Sequence, residues 1–315
     1  MPTPIPAREE LRIKEEFSKR YKQIMGEQYD LFMDYSTSFI RRSIRVNTLK
    51  IDVEKLKARL EPNWKLTPIP WCKEGFWIKG ERLDIGNLSE HILGYIYVQE
   101  AASMIPPIAL DPKPGDTVLD LCAAPGSKTT QMAAMMKNTG VIVANDLSAE
   151  RIKALGINLN RSGVINAIIT HSEGRQMKGV EYDKILVDAP CSATGTIRKN
   201  LKVLGQYNYT IVERLAAMQR GLIKKAYGML KPGGTMVYST CTMEPAENEG
   251  TVTYLLENEP TASVEKIEMD IKRSEPFLEF EGNKFSEQVR NCIRISPQDN
   301  DSEGFFIARI KKAEL

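Results

Sequence analysis

The sequence predicts an α/β protein: a doubly wound, mostly parallel sheet with an antiparallel edge strand, preceded by a small α+β module. Three observations carry this. From about residue 115, short β-rich runs alternate with helical patterns of ten or more residues, the rhythm of βαβ units whose sheet is covered on both faces. Small or polar residues end those runs abruptly, as at Asp188, Ala189, Pro190 and Cys191. Near the end of the chain, "VRNCIRIS" and "GFFIARIKK" lie too close together for an intervening helix, so they pair antiparallel.

The elements follow in order. Residues 1–96 are read as an N-terminal domain: an amphipathic helix over 11–25, the apolar "SIRVNTLK", a helix at "VEKLKARL", and short strands at 66–69 and 75–78. "GYIYVQEAASMIPP" bridges into a second domain, residues 97–315. There, strands are expected at 117–121, 141–144, 167–170, 184–187 and 235–239. Helices are expected up to residue 137, at "SAERIKALGINLNRSG", over 211–230 and over 246–257, with "KPGG" at 231–234 stopping a helix and opening a strand.

Composition excludes several classes of function. With 42% hydrophobic and 27% charged residues, the chain has the balance of a globular protein. No apolar run approaches the roughly 18–20 residues of a membrane span. The start, "MPTPIPAREELRIKEEF", lacks the apolar core of a signal peptide, so a cytoplasmic protein with no membrane partner is expected. Five cysteines, at 72, 122, 191, 241 and 292, form no C-x-x-C pair and suit neither a disulfide framework nor zinc. His91 and His171 are too few for a histidine relay or metal centre, so no metal is expected. The net charge of +2 does not announce nucleic acid, but Lys19, Arg20, Lys22, Arg41, Arg42 and Arg45 collect early, and Arg198, Lys199 and Lys202 follow Cys191. Such clusters are solvated faces unless they border a catalytic cleft.

Ligands of open α/β sheets bind beyond the carboxyl ends of the strands. "DLCAAPGSKTTQ" follows the first strand of the second domain with Ala123, Ala124, Pro125, Gly126 and Ser127, small residues that let backbone approach a ligand. Asp146 follows the next strand, in position to accept ribose hydroxyls, and Glu173 follows the third, where it can face a base edge. The absence of G-x-G-x-x-G and of a P-loop argues against a pyrophosphate and for S-adenosyl-L-methionine, which carries adenosine without phosphate. Cys122 lies inside this loop and reads by itself as packing, whereas Cys191 and Cys241 each stand at a strand's carboxyl end.

"DLCAAPGSKT", "NDLSAERIKALGINLNRSG", "DAPCSATG" and "YSTCTMEPAENE", with "RVNTLK" and "GYIYVQEAASMIP" upstream, resemble the RNA cytosine-5 methyltransferases of the Nol1/Nop2/Sun family, RsmB- and Trm4-like. The resemblance runs from about Arg45 to the end. It implies a Rossmann-like, class I methyltransferase fold and a set of roles. Cys241 would be the nucleophile, and Cys191 would assist removal of the C5 proton and product release. Asp188 would contact the pairing edge of cytosine, and Lys128 would reach or orient the base. The cofactor set would comprise Cys122, Ala123, Ala124, Pro125, Gly126, Ser127, Lys128, Asp146, Arg151, Glu173 and Asp188. Departures are Ser127 and Ala193, where the family usually has glycine, and Pro297-Gln298 and Glu303-Gly304-Phe305-Phe306 in place of its usual Pro-His and Asp-Gly-Phe-Phe.

The chemistry has its own reason for a thiol. C5 of cytosine is a poor nucleophile until a thiolate adds to C6, and cysteine both attacks and leaves well. Charge building at N3 and O2 then needs an acid, for which Asp188 qualifies if partial burial keeps it protonated. The residues alone leave open which thiol attacks. The resemblance implies RNA as partner, and the short chain favours tRNA over rRNA, bound by a monomer. A non-catalytic RNA-binding or ribosome-assembly factor and a small-molecule methyltransferase are the competing readings.

Overall fold

The computed structural model describes residues 2–6, 8–81 and 84–314. The first half builds a small antiparallel sheet from β1 (Ser43–Val46), β2 (Lys65–Ile69), β3 (Cys72–Lys79) and β4 (Ile96–Val98), in the order β2-β3-β1-β4. Helix Val53–Leu60 lays Leu56 and Leu60 against Ile44, Val46, Phe76 and Ile78 of this sheet. The strand Ile96–Val98, inside the stretch read as a bridge, pairs with β1 and completes the sheet.

The large sheet contains β5 (Thr117–Asp120), β6 (Val141–Asp146), β7 (Ala167–His171), β8 (Tyr182–Asp188), β9 (Leu230–Thr240), β10 (Ala262–Glu265), β13 (Ile293–Ile295) and β14 (Phe305–Lys312); a separate hairpin, β11 (Glu279–Phe280) with β12 (Asn283–Lys284), precedes β13. Its order is β10-β14-β9-β8-β5-β6-β7, parallel from β7 to β9 and antiparallel where β14 meets β9. The apolar runs at 185–187 and 236–238 are buried because helices cover both faces, as a parallel sheet demands. The expected antiparallel pair forms between β13 and β14, but β14 is not the edge. One side of β14 pairs with β9, and β13 and β10 share the other. β10, "ASVE", is too short and polar to show a strand pattern, and it forms because β14 offers it a ladder.

The helix Glu15–Met25 and its neighbour Tyr29–Ser36 do not pack on the small sheet. Their Phe17, Tyr21 and Phe32 pack with Tyr207, Val212 and Met243 of the large half, with Phe17 and Tyr21 stacked at 4.1 Å between ring centres. Arg20, buried on that helix, ion-pairs Glu244 at 2.9 Å.

Two further buried side chains join the halves. Arg45 on β1 donates to Gln99, to Ser127 O at 2.8 Å and to Thr130 Oγ1 at 2.9 Å, so it pins the small sheet to the helix Ser127–Met135. Asn47 donates to Gly94 O and Ser162 O, both at 2.8 Å. Among the described residues, no helix is long and apolar enough to cross a membrane.

Candidate active site

The order of the large sheet reverses at β5, with β6 on one side and β8 on the other, and crevices of α/β sheets form at such a switch point. Here the carboxyl ends present Asp120 and Asp188. A cavity of about 370 Å³ opens above them. Of the residues singled out in the sequence, Cys122, Ala123, Ala124, Pro125, Ser127, Lys128, Arg151, Asp188 and Cys241 line it.

Gly126, Asp146, Glu173 and Cys191 do not line it, each for a physical reason. Gly126 turns the loop at φ +104°, and a Cβ there would meet Leu155 Cδ1 at 2.9 Å, so its lack of a side chain lets the helix Ala149–Ser162 close up. Asp146 is buried and spends both oxygens on backbone: Oδ2 accepts from Ala124 N at 3.1 Å and Oδ1 from Ser148 N at 2.9 Å. These bonds shape the loop and leave each oxygen a further lone pair. Glu173 turns away to cap the Gly174–Gln176 turn and to pair with Arg175 at 2.9 Å. Cys191 stands beside Cys241, which faces the cavity in its place.

The charges in the cleft are paired. Lys128 Nζ donates to Asp188 Oδ2 at 2.7 Å and to Ser103 Oγ at 3.0 Å, and Ser239 Oγ donates to Asp188 Oδ1 at 2.8 Å. Burial works to lower the pKa of Lys128, but Asp188 and Asp120 outweigh it and hold the ammonium above its ordinary value. The Lys128 ammonium is thus an acid held at the centre of the cleft.

Asp120, beneath, is pushed up to about 7 by burial first, with Asp188 adding to it and Thr129 and Lys128 opposing. Its Oδ1 is a buried oxygen without a hydrogen-bond partner, in a residue that lines the cavity. Glu303, just before β14, and Phe305, its first residue, also line the cavity, with Lys128 Nζ 5.4 Å from the Phe305 ring centre. Burial and Glu100 raise the pKa of Glu303 against Lys199, its ion-pair partner at 3.0 Å. Asp120, Glu303 and Phe305 escaped the sequence reading, although Glu303-Gly304-Phe305-Phe306 had been noticed as a variant ending.

The thiols of Cys191 and Cys241, fifty residues apart in sequence, lie 3.3 Å apart because β8 and β9 are neighbours. Cys191 is held well above the ordinary thiol pKa, first by its hydrogen bond with Cys241 and then by burial. Ala193, at a position where the resembling family usually has glycine, has φ +56°, a conformation that glycine adopts without strain. Of the other cysteines, Cys72 and Cys292 are buried in core, and Cys122, at the cavity wall, has its pKa raised mainly by burial.

The early basic residues divide. Arg20, Arg45 and Arg198 are buried and bind protein oxygens, so they are not phosphate contacts. Arg41 and Arg42 join Lys65, Lys79 and Trp77 in a groove of about 440 Å³, with the Arg41 guanidinium 3.8 Å over the Trp77 ring. Arg41 also pairs with Asp301 at 3.0 Å, two residues before Glu303, so this groove and the cavity border opposite ends of one turn.

A family model described as 16S rRNA methyltransferase RsmB/F matches residues 107–311, and one described as the N-terminal domain of 16S rRNA methyltransferase RsmF matches residues 13–101. The chain belongs to the RsmB/F methyltransferase family. It is 48% identical over 307 residues to the tRNA (cytosine(49)-C(5))-methyltransferase of Pyrococcus abyssi, covering 95% of this chain and 98% of that one. It is 44% identical to the Ribosomal RNA small subunit methyltransferase F of Photobacterium profundum, covering 95% of this chain and 64% of that protein, so it spans just under two-thirds of this bacterial relative. A methyltransferase homolog protein from Pyrococcus horikoshii superposes with a TM-score of 0.85 at 38% identity, covering 98% and 99% of the two chains. As an RsmB/F member the chain is an RNA cytosine-5 methyltransferase, as the motifs had implied. Among the described residues, no group of three or more His, Cys, Asp or Glu side chains could hold a metal.

Proposed function

We propose that this RsmB/F member methylates C5 of a cytosine in tRNA, with Cys241 as the attacking thiol and S-adenosylmethionine as the methyl donor. The single observation that carries the assignment is the thiol pair: Cys191 and Cys241 lie 3.3 Å apart, and only Cys241 lines the cavity. Its thiolate adds to C6 of the cytosine, which makes C5 nucleophilic. Cys191, held as a thiol at rest, stands beside it to take part in removing the C5 proton, after which Cys241 leaves. Lys128 neutralises charge that grows on the ring, and Asp188 keeps Lys128 protonated and in place.

The residues present suit the donor. Asp120 Oδ1 is a buried acceptor without a partner, fit to receive an ammonium group, and the 122–127 loop supplies close backbone. When bound, S-adenosylmethionine supplies an electrophilic methyl group. Arg151, Ala123, Ala124 and Pro125 would hold it.

The N-terminal part, read from sequence as residues 1–96 and carried two residues further by β4, serves in RNA binding, and the remainder to 315 serves as the catalytic domain. The Arg41, Arg42, Lys65 and Lys79 groove takes phosphates of the strand that leads to the cavity. The preference for tRNA rests on the archaeal relative's name and the nearly full coverage of its length. An rRNA substrate is the second reading, because the bacterial relatives carry that name. The protein acts as a cytoplasmic monomer in either case.

The test is tritium transfer from labelled S-adenosylmethionine to bulk tRNA and rRNA, followed by bisulfite sequencing to name the nucleotide. Cys241→Ala should abolish transfer, and Cys191→Ala should accumulate a protein–RNA adduct on a denaturing gel. The opposite pattern reverses the assignment, and transfer to neither RNA rejects it.

A further inference from the structure

Directly behind the two thiols lie two consecutive side chains that no step above uses. Glu247 is buried, and its carboxylate accepts from Ser192 N at 3.0 Å, from Ser192 Oγ, from Thr242 Oγ1 at 3.1 Å and from Gln219 Nε2 at 2.8 Å. Gln219 Nε2 also donates to Pro190 O at 2.8 Å. Both chain neighbours of Cys191 are thus tied to Glu247, one directly and one through Gln219.

Asn248 does the same for the other thiol. Its Oδ1 accepts from Thr240 Oγ1 at 2.5 Å and its Nδ2 donates to Thr242 O at 2.9 Å, so the residues on either side of Cys241 are tied to it. Adjacent residues can serve separate loops because this stretch is not helical. Asn248 sits at φ −101°, ψ −93°, and the helix Glu249–Asn258 begins only after it.

The base of the arrangement is fixed. Glu249, next in sequence, pairs with Arg294 at 3.0 Å with both side chains buried, and Tyr238 OH donates to Glu247 O at 2.7 Å. Besides the thiols themselves, the loops touch each other through the Thr242 hydroxyl, which contacts Glu247, Ser192 and Thr194, through Met243 N, which donates to Thr194 Oγ1 at 3.0 Å, and through Gly195, whose N donates to Cys241 O at 2.9 Å. Burial pushes Glu247 up to about 7, against the four hydrogen bonds that favour its charged form.

We propose that Glu247 and Asn248 are distinct positioning residues, Asn248 for Cys241 and Glu247 chiefly for Cys191, whose loop is tied by three of its four hydrogen bonds while the fourth reaches Thr242, so that adduct formation and adduct release are impaired unequally from neighbouring positions. The inference rests on the roles given above to the two thiols.

The test uses the full chain, tRNA and labelled S-adenosylmethionine in single-turnover assays, with Cys191→Ala and Cys241→Ala as references. Glu247→Gln should form the covalent adduct within a few-fold of the wild-type rate but release it roughly tenfold or more slowly. Asn248→Ala should slow adduct formation by a similar factor and accumulate none, since misplacing a reacting group by about 1 Å can cost a hundredfold.

A second readout is independent of turnover. Diamide oxidises the two thiols to a disulfide, taking up their two hydrogens as its N=N bond becomes a hydrazine. Mass spectrometry follows the Cys191–Cys241 bond, which should form more slowly in both variants. If both variants lose formation and release in parallel, in proportion to lost melting temperature, the residues are merely structural and the proposal is overturned; unchanged disulfide rates also overturn it. Should either variant fail to fold, Ser192→Ala and Thr240→Val remove one arm of each tie and carry the same opposed expectations. If Cys191→Ala traps no adduct, the thiol roles fall, and the disulfide rates alone then decide whether the ties position the thiols.

Discussion

Replacing Lys128 with methionine isolates the charge at the centre of the cleft. The side chain is only 9% exposed, and methionine preserves most of its buried stem, so packing changes little. What is lost is the ammonium 2.7 Å from Asp188. A hydrogen bond to a charged group contributes about 1.5–3 kcal/mol, and removing one member of a fully buried pair costs about 3–5. Asp188 keeps 28% of its side chain in solvent, which places the stability loss nearer about 2 kcal/mol. The kinetic cost should be larger, because the charge is needed most when the ring carries density from the attacking thiolate. Losing one preorganised donor of that kind costs on the order of 10²–10³ in rate. Urea unfolding measures the first quantity and single-turnover tritium transfer the second, with Lys128→Arg as the charge-keeping control. A Lys128→Met enzyme that loses the expected stability yet stays within tenfold of wild-type transfer would show that Lys128 props Asp188 and does nothing for the substrate.

Two other expectations follow from the same geometry. Lys65→Ala with Lys79→Ala should raise KM for tRNA, leave S-adenosylmethionine affinity unchanged, and flatten the salt dependence of RNA binding by up to about one unit of slope per cation lost; an unchanged slope would remove the groove from the RNA path. Arg294→Met should destabilise the fold by about 3–5 kcal/mol in urea titration, because it strands the buried Glu249 carboxylate beside the loop of Cys241, and a loss below about 1 would mean that Glu249 takes up a proton at little cost.

The parallel core was legible because its strands are short, apolar and punctuated. Val118, Ile185 and Val237 sit at their centres, and the small-residue loop after Asp120 marks the ligand side. What was misread involves partners far along the chain. Arg45 looked like one more exposed cation in a basic run, yet every residue of β1 is buried and its acceptors are some 50 to 90 positions away. Asp146 also holds the loop through Ala124 N and Ser148 N, contacts that no local pattern announces. Glu247 and Asn248 were visible as "ENE" at a helix start, and nothing local says that their hydrogen bonds go to two loops brought together by neighbouring strands.

The buried guanidinium of Arg45 has a thermodynamic consequence. It binds Gln99 at the foot of the small sheet and Ser127 and Thr130 on the helix that follows the cofactor loop, so one of the ties between the halves runs through this cation. If RNA binding shifts that tie and so changes the affinity of the small ligand on its other side by some factor, the small ligand changes RNA affinity by the same factor.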